Sequence, residues 1–525
     1  MEPTSVPTLV QTPAEPTAAP VSHSLLWRPN LIVFLASACM MTLELVAGRI
    51  IAPYVGVSLY TWTSVIGIVL AGMSLGNYLG GRLADRYASL RLLGVVFLIG
   101  GLSCFIILAV DILGSKLPSS YPIVLRILIL TGALFLLPSI VLGAISPVVV
   151  KLAVRNLART GRTVGSIYAM STVGSIIGTF ATGFVLISWF GTHVIVMGVA
   201  VVLLVLGLAL LLGRRWLLLG ASTLLVAMAG VFIWRQMRPH MPCTRETNYF
   251  CIKVREEDRD GQPVRVLILD RLVHSYTSLN DPTKLVYGYE QIYAEATVYR
   301  AQRDEHLSAL FIGGGGYTFP RYMEALYPGS DIHVVEIDPG VTQIAYEYLG
   351  LRRNSDIVTF NEDARLFLQR QPTRKYDLIL GDAFNDFSVP YHLTTKEFNE
   401  RVHAWLEPDG LYMVNLIDGP GGSFVRAYTR TLRQTFAHVY LVPTINEWRS
   451  SSRTTFVLIA SDAPLDLDAF KSIDAGDGDA LLARRVLDQT ETDNYLAEGR
   501  YVLLTDQYAP VDQMLASVYR EEVPR

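Results

Sequence analysis

The stretch LFIGGGGYTFPRYMEALYPGSDIHVVEID, residues 310–338, decides the fold. It opens on a short apolar run, Leu310–Gly313, and breaks into four consecutive glycines, Gly313 to Gly316. It closes on a second apolar run, Ile332–Ile337, that ends among acids. Short continuous apolar runs are strands buried on both faces, and a helical pattern between two of them, here Tyr322–Tyr327, makes the pair parallel. The same unit repeats downstream. Apolar runs recur at Ile357–Phe360, Leu378–Gly381, Gly410–Leu416, Val439–Val442 and Thr455–Ala460, with helical patterns at Val341–Leu349 and Lys396–Leu406. The last two runs lack an intervening helix and read as a closing antiparallel hairpin. Upstream, Tyr249–Val254 and Val264–Asp270 read as an opening hairpin. The C-terminal half is therefore expected to be a doubly wound α/β domain of Rossmann-like type.

In such a sheet the ligand site lies at the carboxyl ends of the strands. Gly313, Gly314, Gly315 and Gly316 let a ligand approach the backbone at the first strand end. Glu336 lies 23 residues beyond Gly313, the spacing at which an acid accepts hydrogen bonds from ribose hydroxyls. A nicotinamide fingerprint would place a third glycine at 318, where Thr318 stands. The third strand is followed by Asp363 and Ala364, where a carboxylate can accept from an adenine amino group, and the fourth ends in Gly381-Asp382. Together these features predict a nucleoside site.

The N-terminal half is different in kind. The chain of 525 residues has 51% hydrophobic and 17% charged residues and a mean hydropathy of +0.35, too apolar for one soluble domain. Residues 1–240 hold 15 of the 44 Lys and Arg but 5 of the 47 Asp and Glu, so a basic, charge-poor half precedes an acidic one. Residues 1–25 lack the basic start and apolar core of a cleaved signal and read as a disordered tail. Seven stretches long enough to cross a bilayer follow, at Leu31–Ile51, Tyr60–Gly80, Leu92–Val110, Ile123–Val149, Val164–Ile187, Val194–Leu212 and Trp216–Trp234. Pro138 in the fourth predicts a kink or strong tilt. Gly76 and Gly80, and Gly174 and Gly178, have the spacing of close helix packing. Glu44 and Arg49 lie in the first span, where ionisable groups are functional, paired or snorkelling to the interface. The expected division is a tail at 1–25, a helical membrane domain at 26–238 and a nucleoside-binding domain at 239–525. In that domain, 239–300 is an opening hairpin and lid, and 301–525 the core.

Orientation follows from Lys and Arg. Arg82, Arg86 and Arg91 mark the second loop, Lys151, Arg155, Arg159 and Arg162 the fourth, and Arg214 and Arg215 the sixth; the first and fifth loops carry none. The expectation is a multi-pass plasma (inner) membrane protein with a cytoplasmic N-terminus. Seven spans then put the C-terminal domain outside. Cys243 and Cys251 flank the opening strand and can close a short disulfide in an oxidising compartment, whereas Cys39 and Cys104 read as buried apolar residues. Against an external domain stands the cytoplasmic origin of the sulfonium nucleoside considered below. The small net charge of −3 and the absence of a basic patch exclude a nucleic-acid binder. The nine histidines show no metal-ligand spacing, so no metal is expected.

From about Tyr249 to Tyr391 the chain resembles the spermidine synthase (polyamine aminopropyltransferase) family, a branch of the S-adenosylmethionine methyltransferase fold. LILDRLVHS, Leu267–Ser275, resembles that family's LDG-x-x-Q segment, with His274 in place of the Gln. Tyr289-Glu290-Gln291 resembles its Tyr-Gln/His-Glu, Ile312–Gly316 its glycine loop, Val334–Asp338 its ribose-binding strand, and Asp363-Ala364 its adenine-binding pair. YDLILGD, Tyr376–Asp382, resembles the strand that delivers the catalytic aspartate. With the upstream spans and LTDQYAPV, Leu504–Val511, the whole chain looks like the membrane-fused spermidine synthase-like proteins. Two departures stand out. Gly316 and Tyr317 occupy the places of the Asp and the last Gly of the family's glycine loop, that Asp holding the amino end of the aminopropyl donor. After Asp382 come Ala383, Phe384, Asn385 and Asp386 instead of Asp-x-x-Asp-Pro.

The resemblance implies S-adenosylmethionine or its decarboxylated form as co-substrate, bound by His274, Gly313, Gly314, Gly315, Glu336, Asp363 and Ala364. It also implies a small amine as acceptor and a homodimer. In aminopropyl transfer an amine attacks the carbon beside sulfur and methylthioadenosine leaves, so a carboxylate must take the amine proton. Asp382 is placed for this, with Tyr289 orienting it. Glu290, Asp386, Asp506 and Tyr508 are candidates for holding the substrate. Three functions compete: aminopropyl transfer; methyl transfer or self-cleavage of S-adenosylmethionine by its own chain; and a transporter or sensor that only binds the nucleoside. GGRLADR, Gly80–Arg86, resembles the loop between the second and third helices of major facilitator transporters.

Overall fold

The computed structural model describes residues 24–118, 121–154, 159–212, 243–259, 261–384, 389–473 and 480–520. Among them six helices are long and apolar enough to cross a membrane: Pro29–Val55, Leu59–Tyr87, Leu90–Ile107, Ile123–Ala153, Thr160–Trp189 and Thr192–Leu212. They coincide with the first six predicted stretches; the seventh, Trp216–Trp234, and residues 1–23 of the tail expected at 1–25 lie outside the described residues, while Ser24 and Leu25 already open the first helix. In the fourth, helical bonding is interrupted at Ala144, six residues past Pro138, where Ile123–Gly143 gives way to Ile145–Ala153.

Glycines set how these helices pair. A Cβ on Gly76 would lie 2.1 Å from the Ile140 carbonyl oxygen, and one on Gly80 2.6 Å from the Ala144 Cα, so the second helix lies backbone to backbone on the fourth. Gly174 and Gly178 meet Phe34 and Ala38 in the same way, joining the fifth helix to the first; Gly94 and Gly207 join the third to the sixth. Such close approach of backbones maximises van der Waals contact between the helices.

Two sheets form the C-terminal half. The first is antiparallel, ordered β1 (Arg245–Glu246), β2 (Cys251–Arg259), β3 (Gln262–Leu269) and β4 (Leu272–Ser278). A Cys243–Cys251 disulfide closes its start. The second has seven strands: β5 (Ser308–Ile312), β6 (Asp331–Val335), β7 (Val358–Phe360), β8 (Tyr376–Gly381), β9 (Leu406–Asp418), β10 (His438–Pro443) and β11 (Thr454–Ser461). Their spatial order is β10-β11-β9-β8-β5-β6-β7. Strands β7, β6, β5, β8 and β9 are parallel, and β11 runs antiparallel to both β9 and β10.

The strands are apolar throughout because both faces are covered. Leu310 and Ile312 join Ile379 on a face packed by Phe398, Trp405 and Phe424, while Phe311 joins Leu378 and Leu380 on a face packed by Ile292, Tyr293 and Phe319. The chain winds outward from β5 to β7, then returns to place β8 on the other flank of β5. That reversal opens a crevice at the carboxyl ends of β5 and β8.

Candidate functional site

Gly313 follows β5 with φ of 98°, and a Cβ there would stand 2.6 Å from the Asp382 carbonyl oxygen at the end of β8. Only glycine fits this turn. The loop then bends Gly314 toward β6, where its N–H donates to Glu336 Oε2 at 2.7 Å; the Asp338 N–H donates to Oε1 at 2.9 Å. The Gly315 backbone N–H also turns to this carboxylate. Burial pushes the Glu336 carboxyl up to about 7, against the pull of these N–H groups. Asp338 caps the helix Pro339–Tyr348 by accepting from the Gly340 N–H at 2.8 Å.

Asp382 is the centre of the crevice. Its Oδ2 accepts from the Tyr289 hydroxyl at 3.0 Å and its Oδ1 from the Asn415 side-chain amide at 2.8 Å. Burial raises its pKa above the ordinary carboxylate range, and these two donors oppose the rise. Tyr289 comes from the helix Gly288–Ala301, and Tyr293, one turn on, meets it edge to face at 5.5 Å. Glu290 on the same helix is buried and accepts from the Tyr287 N–H at 3.3 Å; burial pushes it up to about 8. His274, on β4, is pushed down to about 3 by burial and by the positive charge of Arg453, and so stays neutral. Its Nε2 has no hydrogen-bond partner among the described residues.

A cleft of about 360 Å³ is lined by His274, Ser275, Tyr289, Glu290, Gly313–Gly316 and Asp382 among others, with Glu336 behind the glycine loop that it holds. One wall of it is closed. A Cβ on Gly316 would fall 1.9 Å from Ser275 Oγ and 2.9 Å from Thr277 Oγ1, so no larger residue stands at 316 unless β4 moves. Tyr317 takes the left-handed conformation with φ of 55° and buries its ring; its hydroxyl bonds Thr342 at 3.0 Å and Thr359 at 3.1 Å. The helix therefore begins at Thr318, four residues before the pattern predicted, because the loop feeds straight into it.

The remaining predicted residues lie elsewhere. Asp363 caps the helix Ala364–Leu368, Oδ1 accepting from the Arg365 N–H at 2.8 Å and from Leu366, while Oδ2 meets His392 Nε2 at 3.1 Å. Asp506 bonds Arg365 and, at 2.7 Å, the Thr395 hydroxyl. It thus sits beside Asp363 and does not line the Asp382 cleft. Tyr508 is exposed in a turn bridged to Thr505, also outside the cleft. Both places follow from the Arg365–Asp506 ion pair, which pins this segment to the edge of the domain. Asp386 lies outside the described residues. Sequence reading missed Asn415, although a lone amide in the apolar run Met413–Ile417 was a visible signal, and it missed the Gly316–Ser275 packing, which had none.

The strand order and this strand-end crevice define an S-adenosylmethionine methyltransferase-like fold. In sequence the chain is spermidine synthase-like. A polyamine aminopropyltransferase of Vibrio vulnificus is 39% identical over 108 residues, 20% of this chain and 36% of that protein. Polyamine aminopropyltransferase 2 of Streptomyces coelicolor is 25% identical over 430 residues, 75% of this chain and 74% of that one, an alignment long enough to enter the helical half. The matched segments span about a third of the Vibrio protein and of a probable polyamine aminopropyl transferase of Bifidobacterium longum. Among solved structures, a probable spermidine synthase from Corynebacterium glutamicum is similar with a TM-score of 0.43 at 21% identity, over 50% of this chain and 96% of that one. No family model matches the chain.

Proposed function

We propose that the protein is an integral membrane transferase that binds S-adenosylmethionine or its decarboxylated form and transfers an aminopropyl-type alkyl group to a small amine. The observation that carries this reading is Asp382, buried at the head of the glycine loop and fixed by Tyr289 and Asn415. Glu336 holds the ribose and Asp363 the adenine end. The amine nitrogen forms its bond to the carbon beside sulfur, the carbon–sulfur bond breaks, methylthioadenosine leaves, and Asp382 takes the amine proton. A neighbour with raised proton affinity suits that task.

A second reading, methyl transfer or self-cleavage of intact S-adenosylmethionine, is favoured by the closed wall at Gly316. The donor's tail there meets the hydroxyls of Ser275 and Thr277 and a neutral His274, with the charge of Arg453 near, and these suit a carboxylate-bearing tail. Product analysis decides between the readings. Methylthioadenosine with a new amine supports transfer, methylthioadenosine without an acceptor supports self-cleavage, and adenosylhomocysteine supports methyl transfer. Binding with no product leaves a sensor or transporter.

The six long helices are read as membrane spans, and their charges bear on sidedness. Arg82, Arg86 and Lys151 lie at the ends remote from the C-terminal domain; Lys151 pairs with Asp85 at 2.7 Å. The start of the sixth helix touches that domain, the Thr192 N–H donating to Glu246 at 3.0 Å. Its far end, Leu212, is about 31 Å away for 21 residues, yet the chain is back beside the domain at Cys243. With those basic ends read as cytoplasmic, the catalytic domain at the opposite ends of the helices, and its disulfide, are proposed to lie outside. Thiol labelling of intact cells tests this: Cys243 and Cys251 label only after reduction if the domain is external, and only after permeabilisation if it is cytoplasmic.

A further inference from the structure

Arg49, near the end of the first long helix, leaves the bundle and forks onto the C-terminal domain. Its Nη1 donates to the Asn248 carbonyl and its Nη2 to the Thr247 carbonyl. Thr247 is held from every side. Its hydroxyl donates to Asp338 Oδ2 at 2.5 Å and accepts from the Phe250 N–H at 2.9 Å, and its methyl lies 2.3 Å from where a Gly340 Cβ would stand. Asp338, 1% exposed, in turn donates its N–H to Glu336 Oε1, and Glu336 Oε2 receives the glycine loop. An unbroken series of hydrogen bonds thus runs from a helix of the bundle to the acid at the end of β6. Tyr249 feels the same acids, its hydroxyl pushed up by burial and by the charges of Asp338, Asp363 and Glu336.

We propose that Arg49 is a positioning residue for the nucleoside site, fixing Glu336 through Thr247 and Asp338 so that the helical domain sets donor affinity. The proposal rests on Glu336 as the ribose ligand. A planar fork on two carbonyls sets the angle of the Thr247–Asn248 turn, which a single ammonium cannot do. With the turn released, Asp338 loses its hydroxyl donor and Glu336 its rigid support, and misplacement of a ligand carboxylate weakens binding.

The test uses the full chain in lipid nanodiscs, titrated calorimetrically with S-adenosylmethionine and with methylthioadenosine. Arg49→Gln and Thr247→Val are each expected to weaken binding about tenfold, and the double variant no more than about twofold beyond either, because residues in one network are not additive. Thr247→Ser, which keeps the hydroxyl, binds like the wild type, and Arg49→Lys falls between. Should Arg49→Gln not fold, the Thr247 pair alone carries the test. Wild-type affinity in Arg49→Gln or Thr247→Val overturns the proposal, as does a double variant about a hundredfold weaker, which marks independent effects. A wild-type chain that binds neither compound instead removes the nucleoside reading on which the proposal stands.

Discussion

Replacing Gly316 by Ala isolates one contact. Gly316 does not adopt the left-handed conformation, so the added methyl brings no backbone strain. Its effect is packing alone. The new Cβ would sit 1.9 Å from Ser275 Oγ and 2.7 Å from Ser275 Cβ. Rotating the hydroxyl relieves the first overlap but not the second, so β4 or the glycine loop has to shift. Overpacking of this kind costs about 1–3 kcal/mol, offset by about 0.4–1 kcal/mol for the stiffer unfolded chain. The net is about 0–2.6 kcal/mol, centred on about 1.3 kcal/mol, or about 3–5 °C in Tm at about 2–4 °C per kcal/mol. Scanning calorimetry of the solubilised chain reads it. Ser275→Gly removes the two closest clashing atoms and leaves Thr277 Oγ1 at 2.9 Å, so the double variant Ser275→Gly/Gly316→Ala recovers most of the loss. An alanine variant that melts within about 1 °C of wild type, or a double variant no better than the single, refutes the steric account. With the wall opened, Ser275→Gly/Gly316→Asp gains a carboxylate for an ammonium tail, worth about 1.5–3 kcal/mol. Preference for the decarboxylated donor should then rise about tenfold to a hundredfold.

Glu336→Ala removes the acceptor at the end of β6 and is expected to weaken nucleoside binding about tenfold to a hundredfold; calorimetric titration checks it, and unchanged affinity refutes the assignment. Asp382→Asn should lose about 10²–10⁴ in turnover while still binding the donor, whereas equal turnover takes Asp382 out of the mechanism. Glu290 has a folded pKa of about 8 against 4.5 in the free side chain. The folded state therefore binds its proton more tightly, and stability falls as pH rises from about 4.5 to about 8. Glu290→Gln should flatten that slope in melts across the window, and a wild-type slope in the variant would contradict it.

The sheet was legible because burial on both faces writes itself into sequence. Runs such as Leu310–Ile312 and Leu378–Leu380 are apolar at every position, and the missing helix before Thr455 announced the antiparallel pair β10 and β11. The six long helices were equally plain, since each is an apolar run long enough to cross a membrane. What sequence did not carry was partnership over distance. Arg49 looked like a charge stranded in a span, yet its acceptor lies 199 residues on. Asp506 looked free to meet a substrate until Arg365, 141 residues away, was seen to hold it. Asp338 read as a strand end and is a helix cap. Local pattern fixes which face of an element is buried; it says nothing of which long polar side chain meets which carbonyl across the fold.

The glycine seams joining first helix to fifth, second to fourth and third to sixth also govern how the bundle is born. Each seam marries an early helix to a late one, so nothing made before the fourth helix can close a pair. The nascent first three helices are made with their small-residue faces bare, their seam partners still to come. Closure runs through the fourth, fifth and sixth in turn. Arg49 waits for the 199 residues to Asn248, about 10–40 s at about 5–20 residues per second of synthesis, and the Leu59 N–H waits longer still, for Asp512, 453 residues on. The contacts that tie the two halves together therefore form after the glycine seams, on helices already paired.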